Sequence, residues 1–417
     1  MLLELHRGKD ALTPNELVCL FVSLPPLRKQ ETDLYRALAR QLAAVVDELT
    51  LEECLQVAAA CSAAAPAALL ERLLAALLPA VPHLTPAQLV TEVLDPLSAA
   101  PAPVEAALEQ LYDAALPSVL RGLEELEEGM ELAILYTILR SKPAYCSPDA
   151  ERRVLDAFVA RREHSCARST AMVFTAVAEA PHGMLLHFAR AMAQRVLFLS
   201  TDFTTEEFMD VFQVYVASYT SMLALKESMQ PAPGDAEWQL ALQQEAALLR
   251  TVAALSEQLM LLLESASAYL SRPQLMELLQ VYVRVAEDLG ALPAASPGPE
   301  AERAERERMT RLFLTKLPQT RAIMRAVSAK CITELPRLSL KELLTLLQAA
   351  DVLGPAFVQD AAVGGALREL TRRQMQLGSQ EVERVSTFLL SLQGLRSGQQ
   401  RTINETVLPQ LYKRFSA

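Results

Sequence analysis

Apolar residues recur at helical spacing along most of the chain, and the clearest instance runs from Leu338 to Ala350. Ser339 is a natural N-cap, and Glu342, three residues on, can reach back to the cap's own N–H. Leu338 before the cap and Leu343 at the fourth helical position are placed to close a hydrophobic staple. The same arrangement recurs at Leu12 to Leu17 (Thr13, Glu16), Leu49 to Cys54 (Thr50, Glu53) and Leu84 to Leu89 (Thr85, Gln88). It returns at Phe203 to Phe208 (Thr204, Glu207) and Leu270 to Leu275 (Ser271, Gln274), and a reduced copy has Gly378 with Glu381.

The spacing of these starts predicts the architecture. Thr13 to Thr50 is 37 residues, Thr50 to Thr85 is 35 and Ser339 to Gly378 is 39. Thr204 to Ser271 and Ser271 to Ser339 are 67 and 68, room for an unmarked repeat in each; Thr85 to Thr204, at 119, has room for about three units, one of them near Leu126 to Leu139. A helix start in every unit of this length is the signature of stacked helical hairpins, so the chain is expected to be an all-α, right-handed α-solenoid of about ten hairpins with no β-sheet domain. Asp33 to Glu48 and Pro66 to His83 read as second helices of the first hairpins.

Composition agrees: 51% of the 417 residues are hydrophobic but only 5% aromatic, a core of Ala and Leu with high helix propensity. There is no sustained alternating run and no Asn-Gly or Asp-Gly turn. The longest apolar tract, Val57 to Leu70, is broken by Pro66, so no membrane span and no membrane partner are expected. Met1 to Leu12 has neither the apolar core of a secretory signal nor the acid-poor pattern of a transit peptide.

Charge divides the chain. Residues 301–417 hold 18 Lys/Arg against 11 Asp/Glu, a net of +7, leaving 21 against 39, a net of −18, for 1–300. We therefore expect an acidic repeat region over 1–300, with loops near 98–104 and 228–236, and a basic repeat region over 301–417 with a closing C-terminal helix. Arg303, Arg306, Arg308 and Arg311 are interleaved with acids and read as a solvated helix. Lys316, Arg321, Arg325 and Lys330 have no acid among them; Arg337 follows, and a neighbouring unit offers Arg368, Arg372 and Arg373. On stacked hairpins these eight residues are expected to form a basic stripe that tracks the phosphates of single-stranded RNA.

Catalytic constellations are missing: there is no Walker A loop, no Gly-x-Ser-x-Gly and no His-Glu-x-x-His. None of the six cysteines forms a Cys-x-x-Cys pair, and Cys19, Cys54 and Cys61 lie in apolar helices, as buried free thiols would. His164 with Cys166 makes two ligands, too few for a closed zinc site. The expectation is a protein without enzymatic activity, metal, cofactor or small-molecule substrate.

The segments "RALARQLAAVVDELTLEECLQVAAACS", "LLHFARAMAQRVLFLSTDFTTEEFMDVFQVYVAS" and "IMRAVSAKCITELPRLSLKELLTLLQAADVLG" resemble the repeats of octotricopeptide and FAST-kinase-like helical proteins. Those are organellar RNA-binding and RNA-processing factors. Thr402 to Phe415 reads as a closing helix, not the α/β RAP domain that often follows such repeats, so no nuclease activity is implied. The Ala-, Leu- and Arg-rich, Asn-poor flavour also resembles kinetoplastid mitochondrial proteins of the uridine-editing machinery. The resemblance implies a mitochondrial subunit of an RNA-processing or RNA-editing complex that contacts messenger or guide RNA through its basic repeats and other protein subunits through its acidic ones. The alternative is a protein scaffold, a ribosome-assembly or adaptor subunit in the mitochondrion or cytoplasm, without direct RNA contact.

Overall fold

Nearly every helix start that the sequence marks is closed by its own side chains. At Thr50 the cap N–H donates to Glu53 Oε2 at 2.8 Å, and Glu53 N–H donates to Thr50 Oγ1 at 3.3 Å. At Ser339 the corresponding bond from Glu342 N–H to Ser339 Oγ is 3.3 Å, with Leu338 and Leu343 both buried beneath it. Each such cap stabilises its helix by about 1 kcal/mol.

The structure is a computed structural model describing residues 12–23, 32–61, 65–98, 104–142, 144–145, 147–178, 180, 182–228, 236–264, 270–290 and 314–413. These residues form helices and turns with no strand among them, an all-α fold of packed helical repeats. The chain divides into two compact units, Met1–Glu179 and Ala180–Ala417.

In the first unit, α1 (Pro14–Ser23) pairs with α2 (Thr32–Val45), and α3 (Leu51–Ala60) with α4 (Ala67–Leu77). Next, α5 runs through Pro86–Gln88, a π-helical Leu89–Leu94 and Asp95–Ser98, and pairs with α6 (Glu105–Arg121). The helices α7 (Gly129–Ser141) and α8 (Pro148–Ala160) follow, then α9 (Ala167–Val177). First helices pack on first helices, α1 on α3, α3 on α5, α5 on α7 and α7 on α9. Second helices do likewise, α2 on α4 and α4 on α6. The long interval after Thr85 holds three starts, as expected, but the two later caps are unusual. Glu128 N–H donates to Glu131 Oε2 at 3.3 Å, and Cys166 N–H to Ser169 Oγ at 3.0 Å.

The second unit begins with α10 (His182–Leu199), followed by α11 (Thr205–Ser228), α12 (Ala236–Glu264) and α13 (Arg272–Gly290). It continues with α14 (Thr320–Glu334), α15 (Leu340–Leu353), α16 (Asp360–Arg373), α17 (Ser379–Ser391) and α18, which spans Ser397–Thr402, a π-helical Ile403–Val407 and Leu408–Lys413. The second helices α10, α12, α14, α16 and α18 pack in succession. Here one expectation fails. The 67 residues after Thr204 hold one long hairpin, with helices of 24 and 29 residues, and not two units. Lengthening both helices together keeps the stack unbroken without a new cap. After Ser271 the described residues likewise form one hairpin, α13 and α14; residues 291–313, with Arg303, Arg306, Arg308 and Arg311, lie outside the described part.

Within α12, Trp238–Glu264 has a mean hydropathy of 1.5 and is long and apolar enough to cross a membrane by length and composition. It packs on α10, α11 and α14, burying Leu248, Val252, Leu255, Leu259 and Leu263. Its scattered Gln and Glu residues hide it from a search for unbroken apolar tracts such as Val57 to Leu70. Helices approach closely where side chains are small: a Cβ placed on Gly365 of α16 would lie 2.3 Å from Leu335 Cδ1.

Candidate nucleic-acid interface

The eight basic residues expected to hold RNA fall on the α14 and α16 layers of the second unit, and they do not play one part. Arg321 and Arg325 lie one turn apart at the start of α14 and are exposed, with no acidic partner among the described residues. Arg368 on α16 is likewise exposed without an acidic partner there, its guanidinium folded toward Gly364. Lys316 and Lys330 are half-buried. Arg337 is exposed and pairs with Glu334 at 3.5 Å.

Arg373 is bound within the fold, and Arg372, itself exposed, is tied to the same carboxylate. Both close on the buried Glu369: Arg372 Nε and Nη2 donate to Glu369 Oε2 and Oε1 at 2.8 and 2.6 Å, and Arg373 Nε donates to Oε1 at 2.6 Å. The hydrogen bonds from Arg372 and Arg373 hold the Glu369 carboxyl down at about 2. Arg373 also donates to the carbonyls of Leu338 and Pro336, in and after the 3₁₀ turn that ends α14. The device recurs: Arg161, at the end of α8, donates to Glu124 O at 3.0 Å in the turn after α6, and Arg72 of α4 donates to Ala43 O at the end of α2. An arginine on a second helix thus satisfies the orphan carbonyls at the end of the preceding second helix, where the dipole is negative. A sequence read for basic stripes cannot tell this role from phosphate contact.

Nor do the residues form one line. Gln359, at the cap of α16, donates to Arg325 O at 2.9 Å, so Arg325 stands level with the start of α16. Arg368 lies nine residues further along, about 14 Å at the helical rise. The basic residues therefore form two groups at opposite ends of the layer.

The group at the start of α14 has the better anion chemistry. Gln319, in the position of the N-cap, has φ of 55° and no side-chain bond to the first turn, which holds no acid. The first-turn amides are left without a side-chain acceptor, and the helix dipole adds positive potential to Arg321 and Arg325.

Among the described residues no group of three or more His, Cys, Asp or Glu is arranged to hold a metal ion. Cys54 and Cys331 are buried, but Cys19 is exposed, its thiol donating to Asn15 Oδ1 at 3.3 Å, against the expectation of burial. Apolar neighbours in sequence do not place a residue on the inner side of a short helix. Among the described residues, a cavity of about 240 Å³ lies between α10, α11 and α12. No protein-family model, curated protein or solved structure matches the chain.

Proposed function

We propose that this protein is a non-catalytic helical-repeat subunit of an organellar RNA-processing or RNA-editing complex. It contacts single-stranded RNA through the basic side of α14 and α16 and docks partner subunits through its acidic repeats. The observation that carries the reading is the start of α14: four cations from Lys316 to Lys330 with no acid between, and an uncapped helix end carrying two exposed arginines. Arginine at a helix start is unfavourable by a few tenths of a kcal/mol unless an anion neutralises it. A phosphate does so, bonding to both the guanidinium groups and the open amides.

Binding of the full chain to a mixed-sequence single-stranded RNA, followed by fluorescence anisotropy across a salt series, tests this. The log–log slope should be steep, and the triple variant Arg321→Glu, Arg325→Glu, Arg368→Glu should flatten it by about 2, near 0.7 for each lost phosphate contact. Absence of binding even at low salt overturns the reading. A protein scaffold without RNA contact is the second reading, and absence of RNA binding at low salt is the outcome that favours it.

A further inference from the structure

The α10 helix carries an exposed side that combines basic residues with an exposed aromatic. His187, Arg190, Gln194 and Phe198 follow one another at helical spacing on its outer face, all exposed. From His182 to Leu199 there is no acidic residue, although the chain as a whole is acidic. Phe198 is 71% exposed, and Arg195 lies over one face of its ring, 5.0 Å from the centroid. A large aromatic so placed loses free energy to water unless something covers it. At the other end of the ridge is the cavity of about 240 Å³, with Arg190, His187 and Gln244 among its polar walls and Met222 and Leu248 among its apolar ones. A Cβ placed on Gly183, at its edge, would meet no atom within 4 Å.

We propose that this ridge is a nucleobase-binding subsite for single-stranded RNA, with one base stacked on Phe198 and another in the cavity. The inference rests on the RNA-binding reading above but concerns a different part of the chain, inside the region that charge alone assigns to protein contacts. Three features select a single-stranded polyanion as the occupant. Between His182 and Leu199 the helix contributes basic side chains and no carboxylate, so it favours an anionic chain. Its exposed aromatic, with a guanidinium on one face, leaves the other for a planar ring, an arrangement that grips unstacked bases whatever their identity. The cavity combines apolar walls with hydrogen-bonding groups, as a base edge requires. Arg190 to Phe198 is about 12 Å along the helix, room for a backbone between the two base sites. Duplex RNA cannot use them, because its bases are already stacked.

The test compares two labelled oligomers of equal length with the full chain: a mixed-sequence single-stranded RNA and its abasic counterpart, which keeps the phosphates. Phe198→Ala should weaken RNA binding about tenfold and leave the abasic oligomer unchanged, and Phe198→Trp should restore the RNA affinity. Gly183→Leu, whose Cβ meets no neighbour and whose side chain would occupy the cavity edge, should weaken RNA binding selectively in the same way. Arg190→Glu should weaken both oligomers. If RNA binds and is released by the α14 and α16 reversals, yet Phe198→Ala and Gly183→Leu change nothing, the subsite is refuted while the RNA-binding reading stands. If neither oligomer binds the parent chain at low salt, both fall. Phe198 and Gly183 lie outside the core, and unchanged circular dichroism of the variants confirms that binding, not folding, is being read.

Discussion

Replacing Glu369 by Gln should loosen the end of the α14–α16 layer by about 2 kcal/mol at neutral pH. The side chain is only 9% exposed and accepts three charge-assisted bonds, two from Arg372 and one from Arg373. A carboxyl held at about 2 instead of 4.5 corresponds to about 3 kcal/mol of preference for the charged form. Arg372 is 62% exposed, so solvent screening removes part of this, leaving about 2. Because the folded-state value is the lower one, this stability is fully present above about 4.5 and disappears as pH falls toward 2. The E369Q variant lacks the component at every pH, so the two proteins should converge in acid. In a stacked repeat a single global transition is a poor measure, so the assay is amide exchange at α16 in the full chain between pH 7 and pH 3. A difference below about 0.5 kcal/mol at pH 7, or one that does not shrink with acid, would overturn this role for Glu369. The same geometry predicts that Arg373→Glu, which sets a second carboxylate beside Glu369 and faces it to backbone carbonyls, destabilises the layer more than E369Q does.

Arg321→Glu should instead leave the amide-exchange protection of α14 unchanged or raise it by a few tenths of a kcal/mol, since an acid suits the first turn of α14. Ser339→Ala should cost about 1 kcal/mol in the amide-exchange protection of α15, because it removes the acceptor of the Glu342 amide. Gly394→Ala should destabilise the α17–α18 hairpin by roughly 1–3 kcal/mol, seen as local loss of exchange protection, because its Cβ would stand 2.1 Å from Asp351 O. In a pH series with iodoacetamide, Cys166 should react well before Cys331. Burial raises the Cys166 thiol, but bonds from Ser169 and backbone amides outweigh it and lower the value, whereas burial and nearby Glu342 and Glu334 push Cys331 up to about 12.

Fold was legible in this sequence because helix starts are local: cap, third residue and staple lie within six positions, and Ser339, Thr50 and Thr85 all close as their spacing implies. The count of hairpins was less so, since α11 and α12 lengthen together and a doubled interval looks the same whether it holds one long hairpin or two short ones. Surface chemistry was least legible. Arg325 and Arg373 look alike in sequence, each following another arginine or lying among helical residues, but their roles are set by what the preceding hairpin presents to them. Arg373 meets the carbonyl end of α14, as Arg161 meets the turn after α6, and both stabilise the stack. Arg325 meets the cap of the next second helix, α16, through its backbone carbonyl, and its side chain is exposed. In a repeat fold an arginine at the end of a second helix is therefore a packing residue by default, and one at the start of such a helix is unfavourable for packing. That asymmetry follows from the helix dipole, and it leaves Arg321 and Arg325 exposed at and just after the start of α14 with no acidic partner among the described residues.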